Sequence, residues 1–307
     1  MWWAKGEGRY ACYNGRTAMG PHHDGGGAHR SGVRGVRLIV ITRVQGFQVQ
    51  VVGLLKLNGR GALLVGTRRI GAVVAQRLAR EGVALAIGYR SSRAEAEGLR
   101  EAVAQYATKA VVVQGDASVE ADAQRMVGEA ADALGGLSFL VNLASDYPRT
   151  PYEELDGASW DRAMGTARGS YLLAVAASRQ MLRNPGPTRG HIVLFSDWAA
   201  RETPYRGYLP YLTAKAAVDF MTRAFAVELA PHGILVNAVA PGPTVRPPDM
   251  APEAWARLVE RQTPLRRESS PDEIAEVIAT LLKSETITGE TVRIDAGRHL
   301  AGPGAGE

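Results

Sequence analysis

From Asn58 onward the chain alternates between two hydrophobic patterns. Short, nearly continuous apolar runs predict strands over 62–65, 83–89, 110–114, 139–143, 192–195, 234–240 and 291–294. Between them, apolar residues return every third or fourth position. That spacing predicts helices over 70–81, 94–106, 119–134, 160–182, 214–229 and 271–282. The first helix shows it at Ile70, Val73, Val74 and Leu78 and stops at Gly82. The last begins with Pro271 directly after Ser270, a favourable helix start. Residues 244–262 are proline-rich and then helix-like, with Met250 and Trp255, and read as a lid over a substrate.

Apolar strands separated by helices specify an α/β fold, a doubly wound parallel sheet covered on both faces. Right-handed crossovers then put the ligand crevice at the carboxyl ends of the strands. Gly66, Tyr89, Asp116, Asn142, Ser196, Asp197, Pro241 and Gly242 all fall at that address.

Composition narrows the class. A hydrophobic share of 46% with 22% charged residues fits a globular protein with ample core. No uninterrupted apolar run is long enough for a membrane span, so no membrane partner is expected. Cys12 is the single cysteine, which excludes an internal disulfide framework and points to a cytoplasmic setting. The net charge of +5 draws on arginines near the N-terminus, but no nucleic-acid motif accompanies them, so no nucleic-acid partner is expected. Residues 1–35 are glycine-rich, aperiodic and lack the apolar core of a signal peptide. Short apolar runs at 36–41 and 47–57 could form strands. The expected organisation is an N-terminal extension over 1–56, an appendage or the product of an upstream start codon, one domain over 57–300, and a tail over 301–307.

Candidate chemistry begins with Tyr211 and Lys215, four apart and so on one helix face. A free phenol titrates near ~10, and a neighbouring ammonium lowers that value. Such a pair can exchange a proton in step with hydride transfer. The turn Gly66-Thr67-Arg68-Arg69-Ile70-Gly71 joins the first strand to the first helix, where exposed N–H groups favour a pyrophosphate. The second strand ends in Tyr89-Arg90-Ser91-Ser92 with no acid to hold ribose hydroxyls. Arg90 suits a 2′-phosphate and the serines can add hydrogen bonds, which favours NADPH over NADH. Asp116 can accept from an adenine amino group or cap a helix; the residues alone leave both open. No metal site is expected.

The ordered set of these pieces resembles the short-chain dehydrogenase/reductase family, whose domain is Rossmann-like. The likeness covers about Leu57 to His299 and includes Asp116-Ala117, Val141-Asn142-Leu143-Ala144, Tyr211 with Lys215, Val236-Asn237-Ala238-Val239-Ala240-Pro241-Gly242, and Ile294-Asp295-Ala296-Gly297. Several positions depart from the family pattern. The glycine turn is one residue short, and Arg69 takes the place of its middle glycine. The family's Asn-Asn-Ala-Gly reads Asn142-Leu143-Ala144-Ser145, its relay asparagine is Ala167, and its catalytic serine is Asp197 with Ser196 just before. The interval from Asp197 to Tyr211 is one residue longer than usual.

Asp197 in place of the serine, arginine in the glycine turn, Ala144-Ser145 after the fourth strand and the tail Asp295-Ala296-Gly297-Arg298-His299-Leu300 resemble the pteridine reductase and dihydromonapterin reductase branch, with the longer interval as the one misfit. The resemblance implies a catalytic set of Asp197, Tyr211 and Lys215. It also implies that Tyr147 stacks a pterin ring and that Arg69 lies near both cofactor phosphates and substrate. It places the cofactor on Gly66, Arg68, Arg69, Ile70, Arg90, Ser91, Asp116, Ala117, Asn142, Ala144, Ser145, Pro241 and Gly242, with Ser196 near the substrate. Two other readings stand beside it. In one, Ser196 does the serine's work in a carbonyl or 3-oxoacyl-thioester reductase. In the other, the fold is a degenerate nucleotide-binding regulator. Family members commonly pair their long helices, so the expected assembly is a homotetramer acting on a small molecule.

Overall fold

The structure, a computed structural model, describes residues 53–247 and 250–301. The expected N-terminal extension, save 53–56, and nearly all of the tail lie outside these residues, as do the candidate strand at 36–41 and residues 47–52 of the one at 47–57, whose described part forms no strand. Seven parallel strands form one sheet in the order β3-β2-β1-β4-β5-β6-β7. They are β1 Gly61–Val65, β2 Ala84–Tyr89, β3 Ala110–Gln114, β4 Phe139–Asn142, β5 Gly190–Phe195, β6 Ile234–Pro241 and β7 Thr291–Ile294. The helices are α1 Ile70–Arg80, α2 Arg93–Ala104, α3 Glu120–Leu134, α4 Gly157–Met181, α5 Leu209–Leu229, α6 Pro252–Gln262 and α7 Pro271–Lys283.

Winding starts at β1 and runs outward in both directions, so β1 and β4 flank the point where the strand order reverses. Their register sets Val65 opposite Asn142, which aligns the two strand ends beneath one crevice. Each sheet face carries its own apolar layer. Met126, Leu173 and Val218 of α3, α4 and α5 pack on one face. Val74, Leu78, Val103, Ile278 and Leu282 of α1, α2 and α7 pack on the other. Because both faces are covered, β4 and β6 are buried at every position, which is why they read as continuous apolar runs rather than alternating ones.

Two helices begin earlier than their apolar spacing implies, and the cause is local. Asp156 caps α4 by accepting from the Ser159 N–H at 2.8 Å, while the Ser159 hydroxyl takes the Asp156 N–H at 3.1 Å. Pro210 sits in the first turn of α5, where its fixed φ suits a helix start. This second shift places Tyr211 in the first turn of α5 and fixes its hydroxyl near the β5 exit. The helix-like stretch after Thr244 is α6, on the rim of the crevice.

Candidate active site

The crevice is a single cleft of about 1270 Å³ that runs from the β1–α1 turn to the β5–α5 connection. Its floor is backbone in close approach. Gly66 has φ +90, and a Cβ there would lie 2.5 Å from the Ala144 nitrogen. A Cβ on Gly71 would lie 1.9 Å from the Gly66 carbonyl. A Cβ on Gly242 would lie 2.6 Å from Asp295. These three positions need glycine because a side chain would strike packed neighbours, and all three line the cleft. Arg69 stands at the N-cap of α1 with φ +50, in the left-handed region that the family's glycine occupies without strain. Such a backbone costs on the order of 1–3 kcal/mol and collects at ligand sites. Ile70 opens α1, so its N–H is among the helix donors that face the cleft.

At one end of the cleft the side chains are polar and exposed. Arg68 is committed to α2, with its guanidinium on Glu95 at 2.7 Å and on Ser92 at 2.8 Å. Arg90 and Ser91 follow β2, and Arg90 lies 3.9 Å from Asp116. Asp116 accepts from both the N–H and the hydroxyl of Ser118, which hold its carboxyl below the usual range. One oxygen of Asp116 thus organises the β3–α3 turn. Ala117 packs against Gly169 of α4 on the same wall. Asn142 closes the centre: its amide oxygen accepts from the Ala144 N–H at 3.2 Å and its amide nitrogen donates to Ser170 at 3.0 Å. Ala167 is buried among apolar neighbours and offers no polar atom to a relay.

At the other end the chemistry is buried. The Tyr211 hydroxyl donates to Asp197 at 2.8 Å, and the Ala199 N–H donates to the other carboxylate oxygen at 2.9 Å. Burial pushes the Asp197 carboxyl above the usual carboxylate range. Lys215, 1% exposed, donates to the Phe195 carbonyl at 2.6 Å, and burial lowers it to about 8. Its ammonium stands 5.8 Å from the Tyr211 ring centre. Here the structure corrects the expectation of a lowered phenol pKa, because the net shift is upward. Burial comes first, the neighbouring Asp197 charge comes second, and together they push Tyr211 well above 10. The Ser145 hydroxyl offsets this in part. Ser196 turns the other way, toward the Lys215 carbonyl at 3.4 Å, and is buried in the β5–α5 contact.

The extra residue between Asp197 and Tyr211 is absorbed in an aromatic loop. Trp198 stacks on Tyr205 with ring centres 5.8 Å apart. Tyr147 stacks on Tyr208 at 4.5 Å and meets the Tyr211 ring edge-on at 4.9 Å. Arg201 ties this loop to α5 by donating to both oxygens of buried Asp219 at 2.9 Å. The structure brings Tyr147, Asp197, Tyr211 and Lys215 together at this end. The sequence reading missed Tyr205, Tyr208 and Arg298, all of which line the cleft. Recurring tyrosines in a loop just before Tyr211 were the available signal for the first two.

A seven-stranded doubly wound sheet, a glycine cradle at its switch point and a Tyr-Lys pair at the far end of one cleft define a nucleotide-dependent oxidoreductase. Residues 65–299 match the family model described as Enoyl-(Acyl carrier protein) reductase. The 3-oxoacyl-[acyl-carrier-protein] reductase FabG of Staphylococcus aureus is 32% identical over 249 residues, covering 78% of this chain and 98% of that protein. Two solved structures superpose closely. A short-chain dehydrogenase from Burkholderia cenocepacia in complex with NADP is 29% identical with a TM-score of 0.72, over 80% of this chain and 99% of that one. FolM alternative dihydrofolate reductase 1 from Brucella suis in complex with NADP is 31% identical with a TM-score of 0.73, over 80% and 97%. The chain belongs to the short-chain dehydrogenase/reductase family.

Proposed function

We propose that this chain is an NADPH-dependent reductase of a C=N bond in a pterin-like heterocycle. The observation that carries the reading is the 2.8 Å hydrogen bond from Tyr211 to Asp197, a buried acid where the family pattern has serine. The likeness to the Brucella alternative dihydrofolate reductase supports it. The cradle of Gly66, Gly71 and Gly242 fits a dinucleotide, which the N–H groups around Arg69 and Ile70 would hold by its phosphates. Arg68, Arg90 and Ser91 flank the 2′-phosphate position and Asp116 with Ala117 the adenine. Asn142, Ala144, Ser145, Pro241 and Gly242 line the nicotinamide half. NADPH, when bound, supplies the hydride.

The protein's own task is the proton. Reduction of C=N adds hydride to carbon and a proton to nitrogen, giving CH–NH and NADP⁺. Tyr211, held neutral by burial, gives its proton to the nitrogen. Asp197, whose raised carboxyl stays neutral to a higher pH than an ordinary aspartate, returns a proton to Tyr211. Lys215 orients the nicotinamide ribose and stabilises the transient phenolate. Tyr147 supplies a ring face at the mouth for the heterocycle. A carboxylate at position 197 opposes a developing alkoxide, which makes simple ketones the poorer substrates.

A 3-oxoacyl-thioester reductase is the second reading, favoured by the 32% identity to the Staphylococcus enzyme. It requires a hydroxyl at the reacting oxygen, and that of Ser196 faces the Lys215 carbonyl instead. NADPH oxidation with 7,8-dihydrobiopterin and an acetoacetyl thioester in parallel separates the two. Turnover of the pterin alone, abolished in Tyr211→Phe, supports the first; turnover of the thioester alone overturns it.

The assembly we propose is a homotetramer through α4 and α5. Phe220 and Val227 of α5 are 64% and 75% exposed, and Tyr171 of α4 is half-exposed beside Phe225. Light scattering after gel filtration checks it, and a monomer contradicts it. No helix of the described residues is long and apolar enough to cross a membrane. We place the protein in the cytoplasm on its single cysteine.

A further inference from the structure

Asp219 is a buried carboxylate with no part in the reaction proposed above. Tyr211, Lys215 and Asp219 follow one another at four-residue intervals along α5, so they form one stripe of the helix. The Asp219 side chain is 3% exposed and accepts from Arg201 Nε at 2.9 Å on each oxygen. Arg223, one turn further along α5, donates to it at 2.6 Å. Arg201 belongs to the loop between β5 and α5, which has no helix or strand of its own. The loop's next residue, Glu202, pairs with Arg293 of β7 at 2.9 Å, but it is largely exposed and that contact is screened.

Arg201 directly follows the turn that carries Asp197. The Asp197 carbonyl accepts from the Ala200 N–H at 3.1 Å, and its side chain accepts from the Ala199 N–H at 2.9 Å. The pairing of Arg201 with Asp219 holds this turn against the helix that carries Tyr211. The brace therefore joins the two elements whose separation sets the 2.8 Å hydrogen bond from Tyr211 to Asp197. A group that passes a proton must stay within about 2.6–3.2 Å of its partner. A buried ion pair adds little net stability over apolar residues of the same volume, and its best-attested use is to fix register. Arg223 keeps Asp219 paired when Arg201 is replaced, so cutting the brace leaves no bare buried charge.

We propose that Asp219 and Arg201 are positioning residues that hold Asp197 on the Tyr211 hydroxyl. The inference rests on the reading of Asp197 as the acid that resupplies Tyr211, and adds the device that keeps it in line. Neither side chain lines the cleft, so any effect on turnover passes through Asp197.

The test is Arg201→Met, alone and combined with Asp197→Asn. On the full chain, kcat and KM for 7,8-dihydrobiopterin, the Kd for NADPH, the Tm and hydrogen exchange over 197–208 are measured. Arg201→Met lowers kcat by about 10- to 100-fold, because a small misplacement of a catalytic group is costly. The pterin KM and the NADPH Kd stay within about threefold, the split expected when the lost alignment matters only in the transition state. Exchange of the Ala199 and Ala200 amides rises. In the Asp197→Asn background the same substitution lowers kcat by less than about twofold, since the carboxyl that it aligns is gone. Arg201→Lys keeps a cation on Asp219 and loses only about 3- to 10-fold, and it carries the same comparison should Arg201→Met fail to fold. Equal losses with and without Asp197 mark a merely structural brace and overturn the proposal. An unchanged kcat in Arg201→Met overturns it as well. An Asp197→Asn enzyme with wild-type kcat, or a wild type inert toward dihydrobiopterin, overturns the proton role of Asp197 itself, and this proposal with it.

Discussion

The two ends of the cleft hold their charges in opposite ways. At the β1–α1 and β2–α2 end, Arg68 and Arg90 are largely exposed, and their partners are surface groups such as Glu95 and Asp116. At the β5–α5 end, Asp197, Tyr211 and Lys215 are buried, and each is displaced from its ordinary titration. Exposed charge is screened and contributes binding energy in small increments. Buried charge is costly in the free protein and strong once the site is filled. In the function proposed above, the first end selects the cofactor and the second sets up the proton transfer.

Substitutions at the buried end should have the largest effects. Tyr211→Phe removes the proton donor and should lower kcat by about 10²–10⁴-fold with NADPH affinity retained; single-turnover assays and fluorescence titration check both. Asp197→Asn should lower pterin turnover yet stabilise the fold at neutral pH. The folded-state pKa of Asp197 lies above its unfolded value, so its contribution to stability is full below the unfolded pKa and is lost as pH rises through the folded one. Asparagine does not carry that buried charge. The Tm, followed from pH 5 to 9, should exceed that of the wild type by an amount that grows with pH. A uniformly lower Tm contradicts the assignment.

Lys215 gives the comparison a pH signature. Its ammonium is lost as pH rises through about 8, so kcat/KM should fall above that value. Arginine stays charged there, so residual activity in Lys215→Arg should not show the same fall. A profile flat from pH 7 to 9.5 in the wild type breaks the link between the buried lysine and turnover.

The exposed end should respond more weakly. Arg90→Ala should weaken NADPH by about 5- to 20-fold and leave NADH nearly unchanged, since only the phosphate contact is lost. Isothermal titration with both nucleotides checks it. Arg69→Gly should raise the Tm by about 2–4 °C by relieving a left-handed arginine, at some cost in cofactor affinity.

How far the sequence speaks for each end differs in the same way. Continuous apolar runs at β4 and β6 announced a sheet covered on both faces, and the strand-end residues Gly66, Asn142 and Asp197 fell where the parallel topology puts them. The left-handed φ of Arg69 was legible too, because it stands where the family has glycine. What sequence could not carry was the sign of the Tyr211 shift. An ammonium four residues away on a helix reads as the dominant neighbour, but the direction is set by burial of the phenol and by Asp197 beside it. Arg298 was hidden for a similar reason. A cation shortly before the chain's end looks solvated until the β7 exit folds it under Trp198, far away in sequence. The early start of α5 also escaped the apolar spacing, because Pro210 in its first turn sets that boundary.

The most direct test of the account is the ratio of kcat/KM for 7,8-dihydrobiopterin to that for an acetoacetyl thioester, compared between the wild type and Asp197→Ser. If Asp197 is the acid behind Tyr211, the wild type favours the pterin, and serine moves the ratio toward the ketone by at least about tenfold. A ratio that favours the thioester in the wild type, or that Asp197→Ser leaves in place, contradicts it.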